Sequence, residues 1–136
     1  MSSNDGHEKI NYVEFPSSDL AATKAFFQNC FRWNFTDYGP DYIAFDKNAG
    51  MDGGFYRSPL AAKTSSGSAL IVFYSEQLEQ TQQKVCEHGG TIVQEIFSFP
   101  GGRRFHFTEP AGNEFAVWSD KTNDAAGGGS KVAEGQ

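Results

Sequence analysis

Two side chains in predicted strands have the chemistry needed for proton transfer, Glu14 and His106. Glu14 follows Tyr12 in an alternating apolar and polar segment, and a carboxylate held among rings in a cleft can act as a general base. His106 alternates with Phe105 and Phe107, so it lies on the opposite face of its strand, and imidazole exchanges protons near neutral pH. Each also has a structural interpretation, because Glu14 could pair with a lysine or arginine and His106 could face a helix or solvent. Both interpretations stay open.

Four further side chains have weaker claims to a site. Arg103 and Arg104 follow a Pro-Gly-Gly break. Paired arginines can bind an anionic ligand, but a charged pair at a strand start is typical of a solvated edge. Cys30 and Cys86 lie in no recognisable nucleophile motif, and two thiols are too few for a disulfide framework. They suit a reducing cytosol as ordinary buried thiols.

Charge and hydrophobicity exclude several classes of partner. Lys and Arg total 11 against 17 Asp and Glu, so the net charge is −6 and no basic block could attract nucleic acid. No apolar run is long enough to cross a bilayer, and no signal segment opens the chain. We therefore expect a cytoplasmic protein with neither a nucleic-acid nor a membrane partner. With 13 Phe, 5 Tyr and 2 Trp, rings must build the core or line a cavity.

The order of predicted elements repeats along the chain. A strand, a helix and three strands occupy residues 9–57, and the same order returns in residues 69–119. Leu20 and Leu78 begin the two helices, 58 positions apart. Such a repeat outranks single motifs in diagnosing a fold. We predict an α+β fold in which two tandem βαβββ modules form a curved mixed sheet around a cleft. A flexible leader (1–8), a linker (58–68) and a disordered tail (120–136) complete the expected organisation.

The predicted element bounds follow from apolar periodicity and turn residues. The strands are predicted at residues 10–15, 33–38, 42–46, 53–57, 69–74, 91–99, 103–108 and 114–119. One helix is predicted from Leu20 to about Phe31, after the N-cap types in PSSDL. The other is predicted at residues 77–88 and stops at Gly89-Gly90.

Three segments carry a resemblance to a known family: YVEFPSSDLAATKAFFQNCFRW (12–33), HGGTIV (88–93) and FTEPAGNEFAVW (107–118). They resemble the vicinal oxygen chelate superfamily, which includes glyoxalase I, extradiol dioxygenases, and the bleomycin and fosfomycin resistance proteins. The similarity is closest to the branch described as predicted enzymes related to lactoylglutathione lyase. It implies a fold of paired βαβββ modules. It implies no single activity, because the superfamily contains lyases, isomerases, dioxygenases, thiol transferases and metal-free binders.

The resemblance also implies where a metal ion would be bound. Metal-dependent members hold a divalent ion with four inward-facing residues, mostly His and Glu, from the first and last strand of each module. Carried onto this chain, those positions are Tyr12, Phe55, Ala69 (or Leu70) and Ala116. In any register, the four strands offer only Glu14, Glu114 and the phenol of Tyr74, too few for a catalytic site with three or more ligands. We therefore predict no metal and no cofactor.

Strand alternation predicts what lines the cleft instead. If Tyr12 faces the cleft, Glu14 and the even-numbered positions of the last strand face it too. The predicted ligand-binding residues are Tyr12, Phe55, Ala69, Ile71, Phe73, Glu114, Ala116 and Trp118. Rings and small apolar groups with two carboxylates near the rim suit a small, partly aromatic or hydrophobic ligand that is neutral or cationic. The alternative is that the rings simply fill the cavity.

Three classes of function remain compatible with the sequence. The first is a metal-independent protein that binds a small hydrophobic metabolite or drug. The second is a glyoxalase-like lyase or isomerase in which Glu14 or His106 transfers protons. The third is an interaction module whose sheet edge pairs with a partner. A monomer can supply both halves of a cleft, whereas homodimers are common in the resembling family, so both oligomeric states stay open.

Overall fold

Among the residues that the structure describes, eight strands and two helices follow one another in the predicted order. The computed structural model describes residues 6–122. The strands are β1 Tyr12–Ser17, β2 Phe35–Asp37, β3 Tyr42–Phe45, β4 Asp52–Arg57, β5 Ile71–Tyr74, β6 Thr91–Phe99, β7 Gly102–Thr108 and β8 Glu114–Ser119, and the helices are α1 Leu20–Phe31 and α2 Leu78–Glu87. Most of the predicted leader and tail lies outside the described residues. No helix within residues 6–122 is long and apolar enough to cross a membrane.

The strands form two mixed sheets with the same topology. The first has the order β1-β4-β3-β2 and the second the order β5-β8-β7-β6. In each sheet the first strand pairs in parallel with the last, and the other pairs are antiparallel. The predicted α+β fold of two repeated βαβββ modules is therefore confirmed. The curved surface consists of two four-stranded sheets rather than one sheet of eight.

Helix α1 begins and ends where local hydrogen bonds dictate. The Asp19 carboxylate accepts a hydrogen bond from the Ala22 N–H at 3.0 Å, which satisfies one of the free donors of the first turn. At the other end Arg32 adopts a left-handed conformation with φ 64°, and its N–H donates to the Gln28 carbonyl. The buried residues recur at helical spacing and form one face: Leu20, Thr23, Phe26, Phe27 and Cys30.

The core is a stack of aromatic side chains centred on Phe27. Its ring centroid lies 4.4 Å from that of Trp33, and 5.5 Å from those of Phe55 in β4 and Phe115 in β8. One side chain of α1 therefore packs against both sheets. Odd-numbered strand positions supply the rest of this core, including Phe15, Ile43, Phe45, Phe105, Phe107 and Val117. Even-numbered positions of the same strands point to the other side, which we call the open face.

A buried turn between β7 and β8 joins the two modules. The side-chain nitrogen of Asn113 donates to the Pro16 carbonyl in β1 at 2.6 Å, and the side-chain oxygen of Asn113 accepts from the Ala62 N–H at 2.7 Å. Gly112 has φ 97°, in the left-handed region that favours glycine, and so lets the chain reverse tightly at this point. The turn of the second module is thereby bonded to the first module and to the segment that connects them.

Glu109 opens the same turn and is almost completely buried, with 2 % exposure. It accepts hydrogen bonds from the Thr23 hydroxyl of α1 at 2.9 Å and from the Asn113 side chain at 2.7 Å. Burial raises the pKa of Glu109, and the donors of Thr23, Ala111 and Asn113 oppose that rise. These donors offset the cost of burying a carboxylate between the two modules.

We predict that Glu109→Gln lowers the free energy of unfolding by about 2 kcal/mol, because the introduced amide leaves at least one buried donor without an acceptor. Urea unfolding measures the change. Glu87→Gln at the exposed end of α2 is the matched control and should stay within about 0.5 kcal/mol of the parent protein. Equal stabilities of the two variants would contradict a role for Glu109 in joining the modules.

Candidate functional site

A cavity of about 600 Å³ lies between β1 and β5. Core rings, residues of the two strands and a loop all contribute to it. Its lining residues are uncharged: Ile10, Tyr12, Val13, Phe15, Trp33, Phe45, Ala49, Gly50, Met51, Ile71, Val72, Phe73, Tyr74 and Phe115. The volume is in the range of cavities that hold small organic ligands, and such a lining favours apolar or aromatic groups.

The loop between β3 and β4 closes one side of this cavity. The Asp46 carboxylate accepts from the Asn48 N–H at 3.0 Å and starts a single 3₁₀ turn. The Asn48 side chain donates to the Arg32 carbonyl at the end of α1, at 2.7 Å. Lys47 forms an ion pair with Asp52 at the start of β4. The loop is therefore attached both to the end of α1 and to the start of β4.

Strand β5 places different residues on the open face from those that the sequence predicted. Val72 is the register partner of Ala116, so Val72 and Tyr74 lie on the open face. The prediction that Ile71 and Phe73 share this face is wrong, because they pack against the hydrophobic core. Both nevertheless line the cavity, since it opens in the gap between the two sheets. Their role as ligand contacts stays a prediction.

Five of the predicted ligand contacts lie outside the lining of this cavity: Phe55, Ala69, Glu114, Ala116 and Trp118. Phe55 is fully buried in the core because it occupies an odd-numbered position of β4. Ala69 is exposed but precedes β5, so strand alternation does not apply to it. Ala116 lies on the open face but is completely covered by its neighbours. Trp118 is half-buried on the open face, and its ring centroid lies 5.2 Å from that of Tyr74.

The open face of the first sheet carries a chain of hydrogen bonds through two phenols. The Tyr12 and Tyr42 hydroxyls are 2.7 Å apart, and the Tyr42 hydroxyl donates to the Glu14 carboxylate at 2.8 Å. Burial, followed by these two hydrogen bonds, raises the pKa of Tyr42. Gly54 makes room for this phenol, since a Cβ there would lie 2.2 Å from the Tyr42 oxygen. The partner of Glu14 is therefore a phenol, not the lysine or arginine that the sequence suggested.

The open face of the second sheet carries a different polar cluster. His106 Nδ1 lies 3.4 Å from a Glu114 carboxylate oxygen, and Arg104 Nε and Nη2 lie 3.2 and 3.1 Å from His106 Nε2. Guanidinium can only donate, so Nε2 is assigned as the acceptor and Nδ1 carries the proton towards Glu114. The other Glu114 oxygen accepts from the N–H and hydroxyl of Thr64, at 2.8 and 3.0 Å. The cluster thus presents an oriented imidazole.

Glu114 is held as an anion by its surroundings. Burial raises the pKa of Glu114, but the two Thr64 donors and His106 outweigh burial and lower it below 4.5. A carboxylate whose pKa is lowered by folding stabilises the folded state at pH values above its ordinary pKa. This contribution is lost as the pH falls through the lowered pKa. The main role of Glu114 is therefore to accept hydrogen bonds from Thr64 and His106.

Sequence reasoning missed two members of these clusters, Tyr42 and Thr64, and considered Arg104 only as one of a pair of arginines that could bind an anion. Tyr42 and Arg104 had a detectable signal, because each alternates with a buried aromatic or aliphatic residue in its own strand. Thr64 had none, since it belongs to a Ser- and Ala-rich connection whose path depends on the turn it packs against.

The residues of this region do not fit a divalent metal ion. Within residues 6–122, no three His, Cys, Asp or Glu side chains are grouped so that they could hold one. Glu14 and Glu114 come from different sheets, and Tyr42 and Thr64 already donate to them. The predicted absence of a metal stays a prediction that elemental analysis can test.

The comparisons with known proteins identify the family. Residues 9–117 match the model of the Glyoxalase/Bleomycin resistance protein/Dioxygenase superfamily, so the chain belongs to this superfamily. This confirms the resemblance drawn from the sequence. No curated protein matches the chain in sequence.

Solved structures with the same fold include proteins of different described functions. A glyoxalase-related enzyme from Fulvimarina pelagi aligns with a TM-score of 0.69 at 15% identity, covering 82% of this chain and 88% of that one. The fosfomycin resistance protein FosX from Listeria monocytogenes gives 0.68 at 18% identity, with 85% and 95% covered. Lactoylglutathione lyase from Agrobacterium tumefaciens gives 0.62 at 16% identity, with 82% and 93% covered. At these identities the likeness shows the fold alone.

We predict that Glu114→Gln lowers the free energy of unfolding by about 1–2 kcal/mol at pH 7, because it weakens charge-assisted hydrogen bonds. The deficit should shrink as the pH falls below about 4.5, where the parent protein loses the contribution of the ionised carboxylate. Chemical unfolding from pH 3 to pH 7 measures this. The exposed variant Glu95→Gln should follow the parent curve, and parallel curves for Glu114→Gln and the parent would contradict the assignment.

Proposed function

We propose that this protein binds a small, partly aromatic or hydrophobic molecule in the cavity between β1 and β5, without a metal ion. The observation that supports this most directly is the cavity of about 600 Å³ with an uncharged lining rich in rings. Ring faces in a preformed cavity favour flat apolar groups, and little ordering of the protein is needed on binding. Membership of a superfamily that includes resistance proteins is compatible with this function.

The rim of the cavity could orient such a ligand. Tyr12 and Tyr74 line the cavity and carry hydroxyl groups, and each hydroxyl already has a hydrogen-bond partner, Tyr42 and Asp120 respectively. These partners fix the rings at the mouth of the cavity. A few placed polar groups around an apolar interior are typical of small-molecule sites.

A glyoxalase-like lyase or isomerase is the second candidate function. The observation in its favour is the carboxylate–imidazole pair of Glu114 and His106, which orients a proton-carrying ring on the open face. Glu14, bonded to Tyr42, is the other candidate base. A solved lactoylglutathione lyase shares the fold, which supports this alternative only by analogy.

A cytoplasmic location stays a prediction, and the choice between a monomer and a homodimer stays open. Light scattering after size-exclusion chromatography will distinguish a monomer from a dimer.

The binding proposal predicts that N-phenyl-1-naphthylamine, a neutral fluorescent probe, binds to the parent protein. Val72→Trp should weaken this binding at least about tenfold, because the indole would occupy the mouth of the cavity that Val72 lines. Val93→Trp, at an exposed position of β6 outside the lining, is the matched control and should bind the probe normally. Fluorescence titration measures both, and equal binding by the two variants would contradict the proposed site.

The binding proposal also predicts no turnover of the hemithioacetal of methylglyoxal and glutathione above the background rate. Ultraviolet absorbance of the thioester product measures turnover. Activity that His106→Gln abolishes and His88→Gln preserves would place the lyase candidate first, since His88 lies at the exposed end of α2.

A further inference from the structure

Arg104 is a half-buried cation without an acidic partner among residues 6–122. Its neighbour Arg103 points to α2 and forms a two-point ion pair with Glu79, at 2.5 and 3.2 Å. Arg57 likewise pairs with Asp41. A guanidinium that loses water without gaining a carboxylate is costly. The unmatched charge of Arg104 therefore requires an explanation.

The surroundings of Arg104 hold the guanidinium in one place. Its central carbon lies 5.9 Å from the ring centroids of both Phe97 and Phe99. On one edge, Nε and Nη2 bond to His106 Nε2. Since guanidinium has five N–H donors in a rigid plane, donors remain for a further acceptor. A planar, preorganised fork of this kind suits a carboxylate.

Arg104 lies close to the proposed ligand cavity along one row of the second sheet. Tyr74 on β5 is the register partner of Trp118 on β8, and Trp118 is the register partner of Arg104 on β7. Two strand spacings separate Tyr74 from Arg104, which is roughly 10 Å. The Trp118 ring bridges this interval, with its centroid 5.2 Å from Tyr74 and 6.3 Å from Phe99. An aromatic surface thus connects the cavity to the cation.

We propose that Arg104 binds the carboxylate of an amphipathic ligand whose apolar part occupies the cavity between β1 and β5. This inference rests on the proposed function and specifies the ligand class as a carboxylic acid with about 10 Å between its apolar and anionic ends. It replaces the expectation of a neutral or cationic ligand. Glu114 does not compete for Arg104, because it lies on the opposite edge of the His106 ring and Thr64 donates to its other oxygen.

The test compares two ligands of equal shape and different charge, 5-phenylpentanoate and 5-phenylpentanamide, as competitors of N-phenyl-1-naphthylamine. The carboxylate should displace the probe at a concentration at least about tenfold lower than the amide. Arg104→Gln should abolish this preference, because it removes the cation that distinguishes the acid from the amide. Arg103→Gln is the matched control and should keep the preference, because Arg103 faces α2. Arg104→Lys, which keeps the charge but not the fork, should keep part of it.

The outcomes separate this inference from the proposed function. If Val72→Trp abolishes probe binding but the acid and the amide compete equally, the cavity is a binding site and the assignment to Arg104 is wrong. A preference that survives in Arg104→Gln also overturns the assignment. If the probe does not bind at all, the proposed function fails, and NMR decides the Arg104 contact. In that case 5-phenylpentanoate must shift the ring signals of His106 and not those of His88, and unmoved His106 signals overturn the inference.

Discussion

The bonds that the Glu109–Asn113 turn makes across the two modules determine the rest of the structure. One side chain of this turn reaches β1 and the connecting segment, and another receives the Thr23 hydroxyl of α1. Two of these bonds are buried and the one to the connecting segment is part-buried, so an unmade bond would be costly. The sheets are separate hydrogen-bonded units. Their relative position therefore depends on this turn and on the aromatic packing of Phe27, and the cavity between β1 and β5 depends on that position.

A second constraint divides the chemistry between two faces. In most strands the odd-numbered residues pack in the core and the even-numbered residues lie on the open face. The open faces then carry separate polar groups, Tyr42 with Glu14 on one sheet and His106 with Glu114 on the other. The cavity between the sheets is left uncharged. The apolar cavity and the polar clusters are thus adjacent without being mixed.

The chain has the fold of a superfamily whose solved structures have different described functions. The sequence resemblance predicts that tyrosine, phenylalanine and alanine residues occupy the metal-ligand positions here. Family membership and shared topology establish the fold, whereas function depends on the side chains at the site. In this chain the proposed site is a ring-lined cavity with a half-buried arginine near it. These features are the basis of the proposal that the protein binds an organic molecule.

Local patterns in the sequence determined the order of the elements, the repeat and most element bounds to within one residue. The N-cap at Asp19 and the glycines after α2 depend on neighbouring residues alone, so periodicity and capping could predict them. The face of β5 needed tertiary structure, because a shift of one residue exchanges Ile71 and Phe73 with Val72 and Tyr74. The partners of Glu14, His106 and Arg104 needed it as well. These contacts join strands, or a strand and a loop, whose separation in space is decided by packing and long-range hydrogen bonds rather than by local residue order.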